Sequence, residues 1–157
     1  LVAVLHEVID ELNDKALSGR ITVRIADIPV KIAGRARYLS ILFSNLIANA
    51  INYSPEGETV EILVRRDDND IHVVVKDHGM GIADEALPRI FDEYFRTKEA
   101  LKFNPGSTGL GLAIVKEVAQ REGLKISVTS AVGQGTTFDV AIPADRCEFN
   151  KGEPLDG

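Results

Sequence analysis

The sequence holds a single cysteine, Cys147, and no apolar stretch approaching the ~20 residues that a membrane-spanning helix needs. One cysteine excludes an intrachain disulfide and a multi-cysteine metal site, and it fits a reducing cytoplasm. Positive charge is also short: 18 Lys and Arg against 24 Asp and Glu leave a formal net charge of −6. That balance argues against a nucleic-acid binder working by bulk electrostatics, although a local pocket or a metal ion can still hold an anion. There is no signal-peptide pattern, internal repeat or low-complexity segment. The chain starts at Leu1 rather than Met, so it is expected to be a segment of a longer protein, with any membrane anchor outside it. Its 157 residues, 45% of them apolar, are enough for one domain with a proper core.

Hydrophobic periodicity gives the elements. Residues 1–17 read as an amphipathic helix with Leu1, Val4, Leu5, Val8, Ile9 and Leu12 on one side. Residues 21–28 read as a strand ended by Pro29. The longest helical pattern, 35–53, places Leu39, Leu42, Phe43, Leu46, Ile47 and Ala50 on one face, and Ser54-Pro55-Glu56-Gly57 stops it. A hairpin of strands 59–66 and 70–77 follows. Residues 78–108 form a long connection with one short helical piece near 84–89, and long connections inside compact domains are usually functional. A helix over 109–122, ended by Gly123, and two alternating strands through Ile126 and Val128 and through Phe138, Val140 and Ile142 close the domain. The polar tail 144–157 is expected to be disordered. The sum predicts an α+β two-layer sandwich, a mixed and mostly antiparallel sheet of about five strands covered on one face by about three helices.

Four segments suggest chemistry. Asn is a poor helix former, yet Asn45, Asn49 and Asn52 fall on one face of the long helix, where their amides could hold a divalent cation or ligand oxygens. The alternative is a solvated polar face. Asp77-His78-Gly79-Met80-Gly81-Ile82 puts a carboxylate at a strand end, with glycines that let the chain turn and a flat ligand approach. A carboxylate only accepts, which suits an exocyclic amine such as adenine's, although a plain tight turn is an alternative. Gly106-Ser107-Thr108-Gly109-Leu110-Gly111-Leu112 precedes a helix whose free N–H groups attract phosphate. It lacks the Lys of a P-loop and the sixth-position Gly or Ala of a dinucleotide fingerprint, so it is phosphate-loop-like without belonging to either class. A hinge loop is the other reading. Gly133-Gln134-Gly135-Thr136-Thr137-Phe138 alone reads as a hairpin.

In this order, the four segments resemble the N, G1, G2 and G3 boxes of the histidine kinase catalytic domain. That domain belongs to the ATPase superfamily that also includes DNA gyrase and the MutL repair proteins. Ile90-Phe91-Asp92-Glu93-Tyr94-Phe95-Arg96 looks like the intervening F box, and the match runs over residues 1–143. Each motif is weak alone; the ordered set is specific. The resemblance implies a Bergerat ATP-binding fold using ATP, with ADP as product, and Mg2+. It implies that Asn49 binds the metal, that Asn45 supports metal and phosphates, and that Tyr53 lines the adenine pocket. It further implies that Asp77 accepts from the adenine amine, that Gly79 and Gly81 admit the base against Ile82, and that Thr136 reaches it through water. Arg96 is implied to approach the γ-phosphate, 97–108 to form a mobile lid, and Gly109 and Gly111 to contact phosphate, beside Thr108, Leu110 and Leu112. Lys98 and Lys102 are further phosphate candidates from their place in the lid. The family's usual Lys before Tyr53 is absent, and Asn52 stands there.

Asn45 bears on the reaction. In the resemblance, the gyrase-type ATPases and related serine kinases carry a Glu four residues before the metal-binding Asn, as general base for water or a hydroxyl. An amide cannot take that proton, whereas a neutral imidazole already has a nucleophilic lone pair. The implied activity is therefore transfer of the γ-phosphoryl to a histidine on a separate dimerisation and phosphoacceptor domain, for onward transfer to a response regulator. His6-Glu7 does not continue into an acceptor box. This segment is expected to be a monomer and its parent a homodimer. An ATP-responsive binding module, suggested by Asn52, and a hydrolytic switch are the rival readings.

Overall fold

A computed structural model describes residues 1–16, 21–25, 30–68 and 70–149. Helix α1 spans Val2–Ala16, α2 Ala36–Asn52, α3 Lys98–Phe103 and α4 Gly111–Glu122. The strands are β1 Ile21–Ile25, β2 Val30–Ile32, β3 Val60–Asp67, β4 Asp70–Lys76, β5 Lys125–Ala131, β6 Gly135–Ile142 and β7 Cys147–Phe149. The main sheet has five strands in the order β1-β3-β4-β6-β5. Its β1–β3 pair is parallel and the other pairs antiparallel, so the sheet is mixed as expected.

Alternation along the strands decides which face is covered. Val60, Ile62 and Val64 on β3, Ile71, Val73 and Val75 on β4, and Phe138, Val140 and Ile142 on β6 are all buried. The register aligns them across the sheet, Ile62 with Val75 with Phe138 and Val64 with Val73 with Val140. Against this face pack Leu5, Val8 and Ile9 of α1, the apolar side of α2 and Val115, Val118 and Ala119 of α4. Each of these Val, Leu, Ile and Phe side chains contributes about 1.5–3 kcal/mol relative to exposure. The other face carries Arg65, His72, Lys76 and Asp139, on which His72 Nδ1 lies 2.8 Å from Asp139 Oδ1.

The tail departs from its expectation. Far from being disordered from residue 144, the chain makes a 3-10 turn at Ala144–Arg146 and then β7, which pairs antiparallel with β2. Arg146 is the reason this segment is held. Its guanidinium donates to Ala33 O at 2.7 Å, Glu122 O at 2.7 Å and Glu122 Oε2 at 3.0 Å. It thereby ties the end of α4 to the loop that launches α2, and it neutralises a carboxylate that is only 6% exposed. Residues 150–157 lie outside the described residues, as do 26–29, where the end of the first expected strand falls.

An Arg146→Ala variant leaves Glu122 buried without its cation. It should lose about 1–3 kcal/mol of stability in urea unfolding, and Glu122→Gln in the same background should restore part of it. Unchanged unfolding midpoints would show that the tail does not brace the domain.

Candidate functional site

A cleft of about 610 Å³ opens at the end of the central strands β4 and β6, under the second half of α2. Its lining includes every residue singled out above for binding except Gly79, Lys98 and Lys102. The helix that frames it is amphipathic: Leu39, Leu42, Phe43, Leu46, Ile47, Ala50 and Ile51 are buried, while Asn45, Asn49 and Asn52 turn to the cleft. Asn45 Nδ2 donates to Ile41 O at 2.7 Å. A carbonyl only accepts, so this contact fixes the amide's orientation and leaves its oxygen free. That oxygen faces the start of α4, where a β-carbon on Gly111 would stand 3.3 Å from it.

Asp77 follows the last residue of β4 and is 4% exposed. Its Oδ1 accepts from Gly79 N at 2.9 Å and Thr136 N at 3.1 Å. The backbone adds a bond from Asp77 N to Thr136 O at 2.9 Å, so β4 and β6 hold the carboxylate from both sides. Neither bond uses Oδ2. Burial pushes the Asp77 carboxyl above its ordinary value, and the two N–H donors and His78 draw it partly back.

The glycines of this loop also meet a steric demand of the fold itself. A β-carbon at Gly79 would collide with the carbonyl of Tyr53, at the end of α2. At Gly81, with φ of 72°, it would collide with the carbonyl of Ala131. The small residues thus let three backbones cross behind the cleft: the end of α2, the 77–82 loop and the β5–β6 turn. Of the two, Gly81 lines the cleft and Gly79 does not.

The opposite end of the cleft is the start of α4. Leu110, its N-cap, makes no side-chain cap, and no acidic residue occupies the first turn. Its first N–H groups have no partner within the helix and their dipole favours an anion. Over the cleft lies a lid that sequence reading took as loop. It contains α3, started by Thr97, whose hydroxyl accepts from Ala100 N at 3.0 Å. A Thr three residues before an apolar Ala was the available signal. The Phe103 ring sits 6.2 Å from that of Tyr53, and Ala100 is buried. Arg96 is directed into this lid. Its guanidinium donates to the carbonyls of Ala100 at 3.0 Å, Ser107 at 2.8 Å and Asn104, and to Tyr53 OH at 3.3 Å. Its buried Nε has no partner among the described residues. Sequence reading also missed Phe95, Thr97, Asn104 and Ile114; Thr97 and Asn104 line the cleft from the lid, Phe95 from just before it and Ile114 from α4.

Residues 34–146 match the sequence profile of the histidine kinase-, DNA gyrase B- and HSP90-like ATPases. The sensor-like histidine kinase SenX3 of Mycobacterium tuberculosis is 40% identical over 143 residues, 90% of this chain and 35% of SenX3. The phosphate regulon sensor protein PhoR of Pseudomonas aeruginosa is 35% identical over 126 residues, 80% of this chain and 28% of PhoR. The chain thus spans about a third of the length of these relatives. Among solved structures, the mycobacterial sensor histidine kinase MprB superposes with a TM-score of 0.76 at 24% identity, covering 90% of this chain and 93% of that one. Full-length ShkA in complex with AMPPNP superposes with a TM-score of 0.73 at 26% identity, covering 90% of this chain and 29% of ShkA.

The Asp77 carboxyl generates a two-part prediction. The fold binds its proton more tightly than the unfolded chain does, so ionisation costs stability as pH rises from its ordinary value of 3.8 through the raised one. Asn keeps an oxygen for both N–H donors, carries no charge, and places a donor where Oδ2 can only accept. Asp77→Asn should match the unmodified protein in thermal stability at acid pH and exceed it at neutral pH, while adenine-nucleotide affinity falls at least about tenfold in calorimetry. Unchanged affinity would remove Asp77 from the site. Profile, fold and named relatives together establish that the chain belongs to the histidine kinase-, DNA gyrase B- and HSP90-like ATPase family.

Proposed function

We propose that the chain is the ATP-binding catalytic unit of a two-component sensor histidine kinase. It binds Mg-ATP and passes the γ-phosphoryl group to a histidine on a separate dimerisation and phosphoacceptor domain, which then serves a response regulator. The observation that carries this reading is the convergence on one cleft of a buried carboxylate at one end and an uncapped helix start at the other, with two asparagine amides between them. The adenine amine suits Asp77, and phosphate suits the first N–H groups of α4. The Nε of Arg96, which has no partner among the described residues, also fits an anion oxygen. For Arg96 to turn to the γ-phosphate, its guanidinium must exchange lid carbonyls for phosphate oxygens, which would couple lid position to the nucleotide.

The amide oxygens of Asn45 and Asn49 fit a hard cation that keeps its other ligands as phosphate and water. The described residues offer no group of three His, Cys, Asp or Glu to hold a metal by themselves. Bound with the nucleotide, Mg2+ would neutralise phosphate charge during transfer. The chain's own part is positioning. Asn45, its nitrogen committed to Ile41, offers an oxygen and no base. Water is therefore not activated there, while an incoming imidazole needs no activation. The relatives' names as sensor histidine kinases and the AMPPNP in the ShkA complex support the same reading.

The test mixes this chain, ATP labelled in its γ-phosphate, and the histidine-bearing domain of its parent protein. The expected outcome is an acid-labile phosphohistidine on that domain, with little ATP turnover by the chain alone. ATP binding without phosphohistidine would favour a binding module instead. Substantial hydrolysis by the chain alone, lost on Asn45→Ala, would favour a hydrolytic switch.

A further inference from the structure

Ser130 stands outside the cleft lining, near the end of β5 and directly opposite Thr136 on β6. Its hydroxyl makes three contacts. It accepts from Ile82 N at 2.8 Å, donates to Gly135 O at 3.0 Å and lies 2.8 Å from Thr136 Oγ1. A serine hydroxyl has one proton. The Gly135 carbonyl can only accept, so that contact takes Ser130's proton. The bond between the two hydroxyls must then use the proton of Thr136, and Thr136 Oγ1 is left with lone pairs alone.

Thr136 lines the cleft beside Asp77, and both are buried, at 6% and 4% exposure. Asp77 Oδ1 is occupied by the N–H groups of Gly79 and Thr136, which leaves Oδ2. We infer that Ser130 is a positioning residue that sets the polarity of the base-reading wall. By consuming the Thr136 proton, it makes this wall accept from two neighbouring atoms and donate from neither. Its bond to Ile82 N also fixes the loop that carries the base-facing Ile82. The wall therefore demands hydrogen-bond donors from the ligand, and an exocyclic amine supplies them. This rests on the reading that a purine base sits against Asp77.

Without Ser130's hydroxyl, the Thr136 proton is free to rotate into the cleft and serve a ligand acceptor. The test is a cycle between protein and ligand. ATP and purine riboside triphosphate, which lacks the amine, are titrated calorimetrically into the unmodified chain, Ser130→Ala and Ser130→Thr. The unmodified chain should prefer ATP by at least about tenfold. In Ser130→Ala that preference should shrink at least about threefold, the Asp77 contact keeping the rest, and Ser130→Thr, which keeps the hydroxyl, should retain it in full. A role confined to bracing the loop would weaken both nucleotides equally and leave their ratio unchanged, which would overturn the inference. If the alanine variant does not fold, Ser130→Cys keeps the volume with a weak donor and is held to the same shrinkage. Equal binding of the two nucleotides by the unmodified chain would instead refute the reading of Asp77 as the base contact.

Discussion

One buried oxygen organises the cleft. Asp77 Oδ1 accepts from the N–H of Gly79 in its own loop and from that of Thr136 on the neighbouring strand. A carboxylate at 4% exposure is costly unless its bonds are made, so the loop and the β5–β6 turn are held where those bonds require. The backbone bond from Asp77 N to Thr136 O continues the β4–β6 ladder to this point. The second oxygen makes no hydrogen bond among the described residues, and the direction of any ligand contact follows from that. The cost of keeping the charge is visible in the raised affinity of this group for its proton.

Around this anchor, single elements face two ways. Helix α2 supplies the core with Phe43 and Leu46 and the cleft with Asn45 and Asn49, so its rotation about its own axis is set by hydrophobic burial. Helix α4 packs beside it, and the Arg146 clamp at its far end leaves the near end pointing at the cleft. The lid is tied by Arg96, whose guanidinium caps the carbonyls that end α3. A side chain that would meet phosphate in the proposed reaction thus holds the lid in this structure.

Regular elements were legible because their periodicity is strong: the face of α2 from Leu39 to Ala50 and the alternation through Phe138, Val140 and Ile142 gave their burial directly. The cleft residues were legible through the order of short motifs rather than through any one of them. What failed was short or long-range. Strands β2 and β7 have three residues each, too few for a period, and they exist because of a pairing across the chain and the reach of Arg146. Helix α3 is one and a half turns in a charged stretch, carried by the Thr97 cap and the Arg96 bonds. The packing need at Gly79 was not legible because the clash it avoids is with Tyr53, whose proximity no local pattern reveals. Ser130 stands in phase with Ile126 and Val128 on β5, yet passed unnoticed because its partners Ile82 and Thr136 come from other segments that no local pattern brings to it.

The central claim is that this cleft is an adenine-nucleotide site completed by a divalent cation. Calorimetric titration of the chain with ATP and with ADP, each with and without Mg2+, tests it most directly. The account predicts saturable one-to-one binding of both nucleotides, tighter for ATP when Mg2+ is present. Absence of saturable binding by either nucleotide, with or without the metal, would contradict it.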